Sequence, residues 1–135
     1  MEARFLLDTN ICIYIRRQRP LEVLARFRRL RVGEAALSVI TYGELMYGVK
    51  KSQFREQAAL RLDELAALIP VIALPLQAGR FYGEIRADLE ARGEVIGNND
   101  LWIAAHAKAA GLTLVTNNER EFRRIAGLKV QNWAA

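Results

Sequence analysis

The feature that most constrains this chain is a repeated alternation: short, unbroken apolar runs give way to longer stretches with helical spacing. Four runs read as strands, at residues 4–7, 35–38, 70–74 and 112–116, and a fifth falls at 129–131. Within them Val, Ile and Leu follow one another instead of alternating with polar residues, the pattern of strands buried on both faces of a parallel sheet. Between them, Leu21, Leu24, Ala25 and Phe27 fit one amphipathic helix, and Tyr42, Leu45, Met46 and Val49 another after Thr41. Residues 58–68 end before Pro70, 78–91 stop at Gly93, and 101–110 stop at Gly111, a residue suited to a helix C-terminus. Strands alternating with helices predict an α/β sandwich around a mostly parallel sheet of four to five strands. A length of 135 residues suits a single domain, 1–135.

Composition excludes several classes. With 52% hydrophobic residues the chain can bury a core without covalent staples. Cys12 is the only cysteine, so neither a disulfide framework nor a cysteine-rich zinc site is available, and a reducing cytoplasm is expected. No apolar run reaches the roughly 18 residues of a membrane span, and residues 1–8 lack the features of a secretory leader. The formal net charge of +5 is local: Arg16, Arg17, Arg19, Arg26, Arg28, Arg29 and Arg31 crowd one segment with only Glu22 among them. That segment is either a solvated helix face or a surface for phosphate, which arginine binds through a planar fork.

Carboxyl ends of strands are where open parallel sheets carry their sites, and the polar residues gather there. Asp8 follows the first strand, where it serves as a helix N-cap or as a ligand. Glu44 lies one turn into the helix after the second strand, and Thr41-x-x-Glu44 also matches a capping box. Asp100 shares a helix face with Ile103, Ala104 and Ala107, so its carboxylate extends an apolar stripe, which is costly unless the charge is paired or metal-bound. Thr116, Asn117 and Asn118 end the fourth strand, as a turn and cap or as part of a site. Acids gathered this closely repel one another unless a cation neutralises them. Hard oxygen donors select Mg²⁺ or Mn²⁺ over zinc, and such a site can activate water against a phosphoryl group.

Other chemistries are missing. His106 is the sole histidine, which removes a two-histidine ribonuclease mechanism, and it reads as a surface helix residue. Ser38 and Ser52 sit in no nucleophile elbow. Gly43-x-x-x-x-Gly48 is followed by Val49 and so is no phosphate-binding loop. Trp102 and Trp133 read as packing residues.

Five segments together resemble the PIN-domain family, and within it the VapC toxins. They are 5–11 (Phe-Leu-Leu-Asp-Thr-Asn-Ile), 38–48 (Ser-Val-Ile-Thr-Tyr-Gly-Glu-Leu-Met-Tyr-Gly), 96–107 (Ile-Gly-Asn-Asn-Asp-Leu-Trp-Ile-Ala-Ala-His-Ala), 112–122 (Leu-Thr-Leu-Val-Thr-Asn-Asn-Glu-Arg-Glu-Phe) and 127–133 (Gly-Leu-Lys-Val-Gln-Asn-Trp). The resemblance implies a compact α/β/α sandwich and Mg²⁺- or Mn²⁺-dependent cleavage of RNA. It implies core acids at Asp8, Glu44 and Asp100, with Asp8 and Asp100 on the metal and Glu44 orienting or deprotonating the attacking water. Thr116, Asn117 and Asn118 would position water or phosphate, and Thr9 and Asn10 would fix the Asp8 loop. Many PIN domains carry a fourth acid near position 118, which is an amide here; Asn118 is expected to fill that place by location, with Glu121 as an accessory. Arg16, Arg17 and Arg19 would meet RNA. Similarity to the enterobacterial type implies initiator tRNA, cut in the anticodon stem-loop, as substrate. It also implies a homodimer, a cognate VapB-type antitoxin of a type II toxin–antitoxin pair, and operator DNA bound only through that antitoxin.

Rival readings are a non-catalytic RNA- or DNA-binding PIN module, a flap-type DNA nuclease and a small-phosphate phosphatase. Three intact acids oppose the first, the short chain opposes the second, and the arginine segment opposes the third.

Overall fold

The computed structural model describes residues 2–134. Positions 1 and 135, the ends of the expected single domain, lie outside the described residues. Strands β1 (Phe5–Leu7), β2 (Ala35–Ser38), β3 (Val71–Ile72), β4 (Thr113–Val115) and β5 (Val130–Gln131) form one sheet in the order β3-β2-β1-β4-β5. Every neighbouring pair is parallel, with Phe5 opposite Ala35 on one side and Thr113 on the other. Helices fill the connections: α1 (Thr9–Arg17), α2 (Leu21–Arg28), α3 (Val39–Lys50), α4 (Arg55–Leu68), α5 (Ala78–Ala91), α6 (Asn98–Ala110) and α7 (Glu119–Phe122). No helix is long and apolar enough to cross a membrane among the described residues.

Successive strand residues point to opposite faces, which splits the core in two. Phe5 and Leu7 join Ile11, Leu37, Leu45, Leu62 and Trp133 under α1–α4. Leu6 and Leu114 join Leu89, Ile103, Ala104 and Phe122 under α5–α7. The continuous apolar runs are thus explained where a strand has helices on both faces, as in β1 and β2, all of whose residues are buried. The expected full burial fails at the edges. In β3, Val71 is exposed and Ile72 half-buried, and both residues of β5 are half-buried, because an edge strand has a single neighbour.

Two helix readings also change. α2 turns Val23 and Leu24 inward and leaves Leu21 exposed. α3 begins at Val39, capped by the Ser38 hydroxyl, which accepts from the Ile40 amide at 3.1 Å. The expected capping box therefore does not form: Thr41 is a buried residue inside the helix, and Glu44 is free for other work. α6 starts three residues earlier than the apolar pattern suggests, at Asn98, and ends at Gly111, whose φ of 68° a residue without Cβ adopts freely.

Candidate active site

Strand order turns round at β1. The chain runs outward from β1 to β2 and β3, then crosses to the other side for β4 and β5. The crevice beyond the carboxyl ends of β1 and β4 is the topological switch point, the usual place for a ligand in this kind of sheet. Asp8 stands there. Its backbone amide continues the ladder by donating to Val115 O at 3.0 Å. One carboxylate oxygen caps α1 by accepting from the Ile11 amide at 3.0 Å, and the other accepts from the Thr116 hydroxyl. The cap and the site role of Asp8 are thus compatible. Burial pushes its carboxyl above the ordinary range, and Glu44 adds to this, while the Thr116 and Ile11 hydrogen bonds pull the other way.

Glu44, released from capping, accepts a 2.7 Å hydrogen bond from the Thr9 hydroxyl, which ties α3 to the start of α1. Asp100 occupies the first turn of α6, on the face that carries the buried Ile103, Ala104 and Ala107. Desolvation first, and then the charges of Glu44, Glu121 and Asp8, together push its carboxyl up to about 6; every neighbour that acts on it acts in that direction. Asp8 just after β1, Glu44 on α3 and Glu121 on α7 are therefore all near enough to act on Asp100 of α6 across one edge. Glu121, expected only as an accessory, is among those that Asp100 senses. The Asn118 side-chain amide donates to Glu121 at 3.0 Å, while the Asn118 backbone amide donates to Thr116 Oγ1 at 2.9 Å.

Asn10 and Asn117 touch only loosely, at 3.5 Å, and Asn117 donates firmly to the Tyr14 hydroxyl at 2.6 Å. Tyr14 joins this rim without having announced itself in the sequence. Asn98 is likewise held by the Tyr82 hydroxyl, and Tyr82 stacks on Trp102 with ring centroids 3.9 Å apart. Trp102 and the buried Trp133, edge-on to Phe5 at 5.4 Å, both pack as expected. Arg16, Arg17 and Arg19 are exposed at the end of α1 and beyond it. Arg26 departs from the phosphate-surface reading: it donates to Gln131 at 3.2 Å and lies over the Trp133 ring.

His106 is the clear correction. It is fully buried, not on the surface, because α6 is wrapped by protein on most sides. Its Nδ1 lies 2.8 Å from Ser38 Oγ, while Nε2 and Thr41 Oγ1 have no partner among the described residues. Burial holds its pKa below the ordinary 6.5. A histidine kept neutral in the fold takes up a proton on unfolding, so its contribution is present above about pH 6.5 and is lost as pH falls below it. Urea unfolding of wild type and His106→Gln between pH 5 and 8 checks this: the difference between them should shrink toward acid by up to about 1.4 kcal/mol per pH unit. A pH-independent difference would mean that His106 does not titrate in this way.

The donor set fits a hard divalent cation in kind, being oxygen-only and mutually repelling. Among the described residues no three acids or histidines stand close enough to grip one ion unaided. Mg²⁺ does not require that, since it commonly takes one or two carboxylates and keeps several waters.

The model for the PIN domain matches residues 5–128, and the chain belongs to the PIN-domain family. Its relatives narrow the class further. It is 40% identical over 130 residues to "Ribonuclease VapC2" of Haemophilus influenzae, covering 96% of this chain and 98% of that one. It is also 40% identical over 131 residues to the "tRNA(fMet)-specific endonuclease VapC" of Shigella flexneri, covering 97% and 98%. Among solved structures, VapBC2 from Rickettsia felis bound to a promoter DNA fragment matches with a TM-score of 0.88 and 42% identity, over 96% of this chain and 98% of that one. VapBC-1 from nontypeable H. influenzae matches with a TM-score of 0.90 and 38% identity, over 97% and 98%.

Proposed function

We propose that this chain is a divalent-metal-dependent endoribonuclease, the VapC-type toxin of a toxin–antitoxin pair, which hydrolyses tRNA and so stops translation. The observation that carries the chemistry is Asp100, a half-buried carboxylate that Glu44, Glu121 and Asp8 all push toward its protonated form. An arrangement that works against its own charge is a reservoir for binding a cation. Asp8 and Asp100 would hold Mg²⁺, with Mn²⁺ able to replace it. The ion would lower the pKa of a bound water and offset charge on the phosphoryl oxygens.

The remaining steps belong to this chain's own residues. Glu44, oriented by Thr9, holds or deprotonates the attacking water. Thr116 fixes the Asp8 carboxylate. Asn10 and Asn117 line the rim where the RNA strand enters. Asn118 and Glu121 act as one unit: the amide holds the carboxylate inward, so the charge at the fourth corner comes from Glu121. Arg16, Arg17 and Arg19 meet the RNA backbone.

The substrate and partner follow from the relatives. Two of them, from Shigella and Salmonella, are named for tRNA(fMet), at 40% and 38% identity, which supports initiator tRNA as the substrate; the cut is proposed to fall in its anticodon stem-loop. Several solved relatives are VapBC complexes, some bound to DNA, which supports a VapB-type partner; a toxin homodimer, with operator DNA reached only through the antitoxin, completes the proposed assembly. Such a toxin works in the cytoplasm.

Because the attacking oxygen comes from water and not from the ribose, no 2′,3′-cyclic phosphate should form; with the ribose 3′ oxygen as the leaving group, the cut ends should be a 5′-phosphate and a 3′-hydroxyl. Incubating purified protein with end-labelled tRNA and Mg²⁺, then testing the fragments with ligase and phosphatase, reads this directly. Fragments ending in 2′,3′-cyclic phosphate would contradict the mechanism, and intact tRNA would support the non-catalytic module instead.

A further inference from the structure

Most arginines on and beside α5 and α7 stand in ion pairs, Arg120 excepted. Arg80 pairs with Glu84, Arg86 with Glu90, and Arg92 with Asp88 and Glu94. Arg123 and Arg124 pair with Glu119 and Glu94. Their charges are cancelled where they stand. Arg16 of α1 and Arg61 of α4, by contrast, are exposed and make no ion pair among the described residues.

These two residues line one cleft. It lies between α1, α3 and α4, has a volume of about 300 Å³, and is lined by Arg16, Arg61, Ser52, Ile13, Thr9 and Glu44. Thr9 and Glu44 are the hydrogen-bonded pair at the acidic edge, so the cleft opens directly onto that edge. Arg16 and Arg61 also border the adjoining cleft on its far side, together with Glu64.

RNA approaching four carboxylates is repelled by them, and an RNA strand carries phosphates on either side of the one being cut. A cleft that opens on Thr9 and Glu44 and carries two arginines without an ion pair among the described residues suits the path of such a strand. Arginine's planar fork suits the paired oxygens of a phosphodiester. We propose that this cleft is a second phosphate-binding site, in which Arg16 and Arg61 grip a single RNA backbone phosphate adjacent to the scissile one. This rests on the endoribonuclease reading above. Arg61 stands far from the α1–α2 arginine segment in sequence, and only the packing of α4 beside α1 brings it in.

The test measures RNA affinity in the Asp100→Asn background with Mg²⁺ present, so that binding is read apart from cleavage; continued cleavage there would count against the acid cluster, not the cleft. Arg16→Gln and Arg61→Gln should each weaken binding of an anticodon stem-loop RNA about tenfold, as loss of a charged hydrogen bond does. The double variant should cost less than the product of the two, because both side chains serve one phosphate. The slope of log affinity against log salt should fall by about 0.7 in the double variant. Arg61→Lys should keep the slope and lose part of the affinity. Arg80→Gln should change neither. Affinities within twofold of the parent with an unchanged slope would overturn the proposal. Fully multiplicative costs would overturn the shared grip, and weakened antitoxin binding with intact RNA binding would assign the cleft to the protein partner.

Discussion

Asp100→Asn is expected to slow RNA cleavage about a thousandfold, the several kcal/mol that a ligand to a phosphoryl-activating ion supplies, and to leave the metal-free protein at least as stable as wild type. The two effects have one cause. The Asp100 carboxyl is lifted to about 6 by desolvation first and then by Glu44, Glu121 and Asp8. At neutral pH the fold therefore carries a charge that its surroundings oppose. Asparagine keeps the shape, stays on the same face as Ile103 and Ala104, and removes the repulsion. Single-turnover cleavage and urea unfolding in EDTA measure both halves. A variant that cut RNA at the wild-type rate would remove Asp100 from the site. A variant that unfolded much more easily would make the residue structural, with its activity loss a consequence of misfolding.

Much of this architecture was legible in the apolar runs. The strands were placed to within two residues at each end, because Leu and Val in unbroken groups have few other places to go in a chain of this size. Burial at β3 and β5 was not legible, since the local pattern of an edge strand is the same as that of a central one and only the sheet order separates them. Caps were misread where two explanations fitted the same residues. Thr41 and Glu44 have the spacing of a capping box, yet Ser38 wins because its hydroxyl sits where the strand ends and the helix begins. His106 looked solvent-facing because a lone histidine carries no periodic signal, and in the fold its ring reaches Ser38 at the end of β2.

The site divides along the same line. Asp8, Glu44 and Asp100 could be named from strand ends and helix faces. Glu121 was expected only as an accessory and Tyr14 was not singled out, because their parts depend on partners far away in sequence: Asp100 for the first, Asn117 for the second. The Arg16–Arg61 cleft shows the limit most plainly. A run of arginines in one segment drew attention to itself, while a single arginine on α4 became interesting only once three helices had packed.

Metal dependence should be absolute and should carry the pH signature of the acids. A carboxylate binds a divalent ion only when deprotonated. With Asp100 lifted to about 6, metal affinity should hold above that pH and fall below it, by at most about tenfold per pH unit for this one group. Ca²⁺, larger and looser in its coordination, should support cleavage poorly. The most direct test strips the protein with EDTA and titrates Mn²⁺ at pH 7.5, following bound ion by electron paramagnetic resonance and RNA cleavage in the same samples. Bound Mn²⁺ and cleavage should rise together over one concentration range, and both should be lost in Asp8→Asn. Undiminished cleavage by the stripped protein in EDTA would contradict the account.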